Sequence, residues 1–262
     1  MRKGYSVIEE SEKKHFDKMA EKYDINYGYK NQFTKYKINK KILVLVDFLK
    51  HLKLSKSAKI IEIGCGTGEY TIELSKKLPK IYIEAMDISK NIIKVARQKS
   101  KACKNIKYKV KSFYKSGYKD NSVDVIYGFY ILHHLDIDKT VKEAFRILKP
   151  GGLIFFYEPN ILNALVYLIK SNKYLKRVVG DSPDEWGVNP LTVKNRWRGF
   201  EVLNNATTEY LPPNLPLKLE TMVYLDSRVE KILRYIPVIN KLGGSVNLSL
   251  RKSDGLNEIK LQ

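Results

Sequence analysis

Cysteine is nearly missing from this chain. There are two among 262 residues, Cys65 and Cys103. That is too few for a disulfide framework, and a reducing, cytoplasmic setting is expected. Histidine is scarce as well, with four in all. Four scattered histidines and two cysteines offer no metal-ligand cluster, so no metal is expected. No apolar run approaches the roughly 18 residues that a membrane-spanning helix needs. The first six residues carry charge without a following apolar stretch, so no signal peptide is expected. No G-K-[ST] follows a glycine-rich loop, which excludes a P-loop. Acid is in deficit: 28 Asp and Glu face 48 Lys and Arg, a net charge of +20. A polyanionic partner such as nucleic acid, or an anionic membrane surface, is one reading of that excess. Only nine of the cations are arginine, and the chain is also rich in Ile, Asn and Tyr. Specific phosphate and base readers favour the arginine fork. The lysine skew therefore fits the composition bias of an AT-rich genome better, and nucleic acid is not favoured as a partner.

What is present centres on Lys59-Ile60-Ile61-Glu62-Ile63-Gly64-Cys65-Gly66-Thr67-Gly68. The β-branched run stopped by glycine predicts a buried strand. Ile72, Leu74 and Leu78 then recur at helical spacing, so a helix opens near Glu69. A strand, a glycine turn and a helix N-terminus bring backbone close to a ligand and aim free N–H groups at it. The dinucleotide fingerprint G-x-G-x-x-G does not fit: the third glycine would fall at Glu69 or at Thr71. The loop is G-x-G-x-G with an acid, Glu62, two residues ahead.

This stretch resembles the first motif, E/D-x-G-x-G-x-G, of the class I S-adenosylmethionine-dependent methyltransferases. The resemblance implies S-adenosylmethionine as cofactor, with Glu62, Gly64, Cys65, Gly66 and Gly68 at its site. A second strand ends in Asp87, about 20 residues on, where an acid holds a ribose by two hydroxyls. Ile88 follows it on the cofactor side. Ser89 can cap the next helix and leave Asp87 to the ribose. Residues 112–124 resemble the family pattern D-A-x-x-L-P-F-x-D-N-S-F-D, in which the first Asp bonds the adenine amino group. Here that position is Ser112, a departure, and Phe113 supplies the apolar wall. Arg146-Ile147-Leu148-Lys149-Pro150-Gly151-Gly152 matches the family's R-x-L-K-P-G-G. Residues 10–28 resemble the N-terminal cap that closes over the cofactor; Tyr23 is assigned to the cofactor, and Tyr23, Tyr27 and Tyr29 are candidates to face the substrate.

The expected fold is α/β: a doubly wound, mostly parallel seven-stranded sheet, the Rossmann-like methyltransferase fold. One domain of residues 1–262 is expected. It divides into an N-terminal helical cap (1–33), a cofactor-binding core (34–158), a helical insertion after the fifth strand with the sixth strand (159–242), and a last strand with a polar tail (243–262). His133 and His134 follow the fourth strand, near where an acceptor should lie. Imidazole suits proton abstraction from a hydroxyl near neutral pH, so His134 ahead of His133, with Tyr127, are the catalytic candidates. No Asn/Asp-Pro-Pro-Tyr follows the fourth strand, which lowers the reading as a base methyltransferase. The expected acceptor is a small molecule, lipid- or glycan-linked in one version, methylated on oxygen rather than nitrogen. An RNA methyltransferase and a non-catalytic S-adenosylmethionine-binding regulator are the alternatives. Residues 160–180 are apolar with basic flanks. They read either as a lid packed on the sheet or as a helix in peripheral contact with an anionic membrane.

Overall fold

A computed structural model describes residues 7–29, 31–51, 55, 57–182, 185–212 and 215–253. Among these the chain runs α1 (Val7–Met19), α2 (Tyr23–Asn26), α3 (Gln32–His51), β1 (Ile60–Ile63), α4 (Glu69–Lys77), β2 (Ile83–Asp87), α5 (Lys90–Lys99), β3 (Ile106–Val110) and β4 (Val123–Phe129). There follow α6 (Ile137–Ile147), β5 (Leu148–Pro159), α7 (Ala164–Ser171), α8 (Lys173–Val179), α9 (Val193–Arg196), β6 (Phe200–Thr208), α10 (Leu219–Leu233) and β7 (Ser245–Lys252). The seven strands form one sheet in the order β3-β2-β1-β4-β5-β7-β6. All neighbours are parallel except β7, which is antiparallel to both β5 and β6. This is the doubly wound sheet that the sequence predicts.

β1 lies inside the sheet between β2 and β4, and all four of its residues are buried. Its faces contribute to two different core layers, Ile60 to one and Ile61 and Ile63 to the other, which explains its unbroken Ile-rich run. The chain leaves β1 towards β2 on one side and later returns to β4 on the other. The carboxyl ends of β1 and β4 therefore open a cleft at the switch point, where such sheets bind ligands. On one face, Ile42, Leu45 and Leu49 of α3 pack with Tyr70, Leu74 and Phe155. On the other, Val141, Ala144 and Ile147 of α6 pack with Phe156, Trp197 and Phe200.

The structure departs from the sequence expectation at breaks. The N-terminal helix is two helices, and α2 ends before Gly28, at φ +65°. The helix expected over 161–179 is interrupted at Asn172, whose side chain accepts from Tyr174 N–H and Leu175 N–H and starts α8. The stretch Lys149-Pro150-Gly151-Gly152, whose proline and glycines have the chemistry of a turn, is absorbed into β5, with a register irregularity opposite Val123 and Val125. The expected polar tail, from residue 254 on, lies outside the described residues.

Beneath the glycine turn sits a buried polar knot. The Glu62 carboxylate accepts from the Thr71 hydroxyl (2.6 Å) and the Tyr127 hydroxyl (2.8 Å). Burial pushes its pKa up to about 7, and the two hydroxyl donors offset part of that rise. The knot ties β1, α4 and β4 together under the ligand end of the sheet. Tyr127→Phe removes one of the two donors to Glu62 and should cost about 1–2 kcal/mol. The urea midpoint should fall with an unchanged m-value; an unaltered midpoint would show that the knot is not needed for stability.

Candidate active site

The turn after β1 needs its glycines. Gly64, Gly66 and Gly68 have φ of +62°, +52° and +84°. A Cβ on Gly64 would stand 2.3 Å from the Ile131 side chain, and one on Gly68 2.6 Å from the Tyr108 hydroxyl. Gly68 is also the N-cap of α4 and offers no side chain there. A helix start without a side-chain cap leaves its first N–H groups open to a ligand. Cys65 is buried between the glycines as a free thiol.

Asp87 ends β2 beside this turn. Its Oδ2 accepts Gly66 N–H (3.1 Å) and its Oδ1 accepts Ser89 N–H (2.9 Å). Ser89 caps α5 through Ile92 N–H, so Asp87 does not serve as the cap. Burial raises the Asp87 pKa, and the two backbone donors counter that. Each oxygen keeps a lone pair for a further donor, which suits a ribose diol. Ile88, half-buried, follows it. Ser112 is buried and donates to Glu9 of α1, and Phe113 behind it joins the apolar core. A carboxylate from the cap thus stands at the position where the family pattern has its own.

The cap is fastened to this edge by acids. Asp17 accepts from the Ser89 hydroxyl (2.5 Å) and Asn91 N–H (3.2 Å). Asp24 accepts from the Thr67 hydroxyl (2.5 Å) and Lys99 (2.5 Å). Tyr23 is laid across the glycine turn, its hydroxyl 3.1 Å from where a Gly66 Cβ would be. Tyr27 packs on Tyr23 at 4.5 Å between ring centroids, and Tyr29 at 6.0 Å. These residues fit a bound adenosine: glycine backbone at the turn, an acid with spare acceptors at the second strand, and an aromatic cover. Glu62 does not reach the cleft; it supports the turn from below. Tyr127 likewise is fully buried against Glu62 and lies off the cavity described next, whereas Tyr130 lines it.

Next to the turn is a cavity of about 460 Å³. Tyr23, Tyr27, Phe129 and Tyr130 wall one side, and Leu165, Val166 and Ile169 of α7 the other. Both histidines reach it. They sit in a 3₁₀ turn, Leu132–His134, directly after β4. Glu158, at the end of β5, accepts Ile131 N–H (2.9 Å) and Leu132 N–H (2.8 Å) and lies 2.6 Å from His133 Nδ1. His133 Nε2 is 3.0 Å from Glu185. Burial lowers the His133 pKa, but hydrogen bonds to Glu158 and Glu185 outweigh it and lift it to about 9. His133 is therefore a clamped imidazolium with both nitrogens donating. His134 Nδ1 lies 2.9 Å from Glu12 of α1, and its Nε2 is 3.8 Å from Glu185. Burial raises the Glu12 pKa, and the bond and charge of His134 bring it below the ordinary value.

His133, His134 and Glu185 bring ligand atoms within 4.8 Å of one another. The sequence spacing shows no such cluster, so the picture of scattered histidines is corrected. Both His133 nitrogens are committed to carboxylates, and Glu185 is further bonded by Lys170 and Ser182 N–H. As it stands in this structure, the group forms an ion-pair network.

Sequence reasoning missed Glu9, Glu12, Glu158 and Glu185. Glu158 had a signal, an acid closing an apolar strand. The others reach the site from separate elements and had none. Tyr130 was also missed. It holds φ +56° and bonds Glu209 (3.0 Å) and Ser245 (3.0 Å), a strained residue of the kind that gathers at ligand sites.

Fold and site together are similar to those of the class I S-adenosylmethionine-dependent methyltransferases. Residues 61–156, from β1 into β5, match the family described as "Methyltransferase domain". Demethylmenaquinone methyltransferases of Staphylococcus aureus strains are 33% identical over 112 residues, which is 42% of this chain and 46% of theirs. The chain thus spans about half the length of the curated relatives it matches. Two solved structures share the fold. An S-adenosylmethionine-dependent methyltransferase of Thermotoga maritima aligns with a TM-score of 0.62 at 18% identity, over 92% of this chain and 99% of that one. One from Archaeoglobus fulgidus aligns with a TM-score of 0.50 at 19% identity, over 81% and 94%.

Asp87→Ala should weaken S-adenosylhomocysteine by about 1–3 kcal/mol in calorimetry, because it removes charge-assisted hydrogen bonds; unchanged affinity would take Asp87 out of the site. The His133 clamp has a pH signature. A pKa raised from 6.5 to about 9 contributes stability that is complete below pH 6.5 and is lost as pH rises through 9. Compared with His133→Asn, the native protein's melting temperature should fall more steeply over that window. Parallel curves would mean the clamp does not hold a proton.

Proposed function

We propose that this chain transfers a methyl group from S-adenosylmethionine to a hydroxyl of a small, mainly apolar acceptor, lipid-linked in the version the cavity suits best. The observation that carries the reading is the His134 imidazole on the cavity wall, with Glu12 2.9 Å from Nδ1 and Glu185 3.8 Å from Nε2. When bound, S-adenosylmethionine supplies an electrophilic methyl on a sulfonium. The protein positions the acceptor, excludes water and takes the proton. His134 Nε2 accepts the hydroxyl proton as the C–O bond forms and the C–S bond breaks. Glu12 offsets the imidazolium charge so produced. His133, already protonated, positions the turn that carries His134. The apolar wall of Leu165, Val166 and Ile169 suits an acceptor with a hydrocarbon body. The quinone named for the Staphylococcus aureus relatives is consistent with that class.

His134→Ala should leave S-adenosylhomocysteine affinity intact and lower turnover by about 10²–10⁴-fold. Full activity would end the assignment of His134 as base. Incubating cell fractions with labelled methyl donor should place label in the lipid or small-molecule pool. Label in RNA would overturn the acceptor class, and no label in any pool would favour a regulator.

A further inference from the structure

We propose that the surface formed by α7, α8 and the segment after α10 seats on an anionic phospholipid bilayer, with the cavity mouth opening at the contact. This goes beyond the transferase reading and rests on surface chemistry alone. The expected lid is not buried. Tyr167 and Leu168 of α7 face solvent, each about half exposed, Leu165 lines the cavity while 48% exposed, and Val166 and Ile169 turn to the cavity. On α8, Tyr174 and Val178 are 71% and 65% exposed. After α10, Tyr235 and Val238 are 76% and 74% exposed. The two regions are joined: Asn163, the N-cap of α7, donates through Nδ2 to Leu242 O (2.7 Å), and Asn160 Nδ2 donates to Lys241 O (2.8 Å). Large apolar side chains gathered in this way on a surface mark an interaction site.

Charge selects the partner. Residues 160–180 contain no Asp or Glu, and neither do residues 231–244. Both carry cations, with Lys173, Arg177, Lys231 and Arg234 exposed. The nearby acids of α10, Asp226 and Glu230, are turned to Lys40 of α3 at 2.6 and 2.7 Å. Compositional bias would spread lysine evenly; it would not clear carboxylates from the two segments that also expose apolar side chains. Tyrosine and tryptophan lie among them: Tyr167 packs edge-on to Trp186, and Arg234 covers the Tyr235 ring. Apolar residues with interfacial aromatics and a cationic fringe are the composition of a surface that rests in a lipid headgroup layer. Val238 adds a backbone observation. It is β-branched, held at φ +69° and ψ −53°, and displayed at the tip of its turn. Such strain is retained where the display serves a purpose.

The test is flotation of the full chain with vesicles of phosphatidylcholine alone or with about one third phosphatidylglycerol. Partition should be at least about tenfold higher on the anionic vesicles, and partly released by about 0.5 M NaCl, where screening is short-ranged. Leu168→Asp with Val238→Asp should lower partition about tenfold with S-adenosylhomocysteine binding unchanged. Lys173→Glu with Arg234→Glu should erase the preference for anionic lipid. Equal partition on the two vesicle types, variants that float like the native protein, or binding to transfer RNA in preference to vesicles would each overturn the proposal. The assay needs no acceptor and no turnover. A protein that floats but transfers no methyl group leaves this surface standing and removes the transferase reading.

Discussion

Backbone at positive φ, packed so tightly at Gly64 and Gly68 that a Cβ would collide with a side chain, is the constraint on which the ligand side of this molecule depends. Three glycines in alternation let β1 turn into α4 within five residues while Ile131 and Tyr108 close on the turn from both sides. Asp87 stitches the turn to β2 through Gly66 N–H. The Glu62 knot holds it from beneath. Because the turn is braced on each side, the first N–H groups of α4 can be aimed at a ligand without waiting for the ligand to order them.

The second organising feature is the way a basic protein spends its few acids. Glu9, Glu12, Asp17 and Asp24, all from the cap, each meet a residue at the ligand edge of the sheet. Glu158 and Glu185 enclose His133. Glu209 answers Lys41 beside Tyr130. Burial works against the charge on Glu209, yet Lys41 and Lys37 hold its pKa far below the ordinary carboxylate range. Buried carboxylates are stable only with partners, so their clustering here fixes geometry more than it adds stability. Two histidines adjacent in sequence consequently acquire different characters: one is fixed as a cation, and the other faces the cavity with Glu12 close at Nδ1 and Glu185 further from Nε2.

The strands and helices of the core were readable because each carries a local signal. Ile60-Ile61 is apolar on both faces because a packed helical layer covers each face of β1. Ser89 caps α5 as its position suggests, and Asp136 caps α6. Where local signals compete, the reading slips. Lys149-Pro150-Gly151-Gly152 has the chemistry of a turn, but pairing with neighbouring strands draws it into β5. The run from Ile161 to Val179 has helical apolar spacing throughout, but Asn172 offers its side chain to the backbone and breaks it.

By itself the sequence determined the class of sheet, the glycine turn, the acid one strand later and the two histidines after β4. Each of these is a matter of residue type at short spacing, where local sterics and periodicity act. Only the tertiary structure decided which carboxylate meets which histidine, that Tyr127 turns into the core while Tyr130 lines the cavity, and that α7 shows leucines to solvent. Those outcomes join elements dozens of residues apart. Packing and ion pairing set them, and neither has a period that can be read along a single chain.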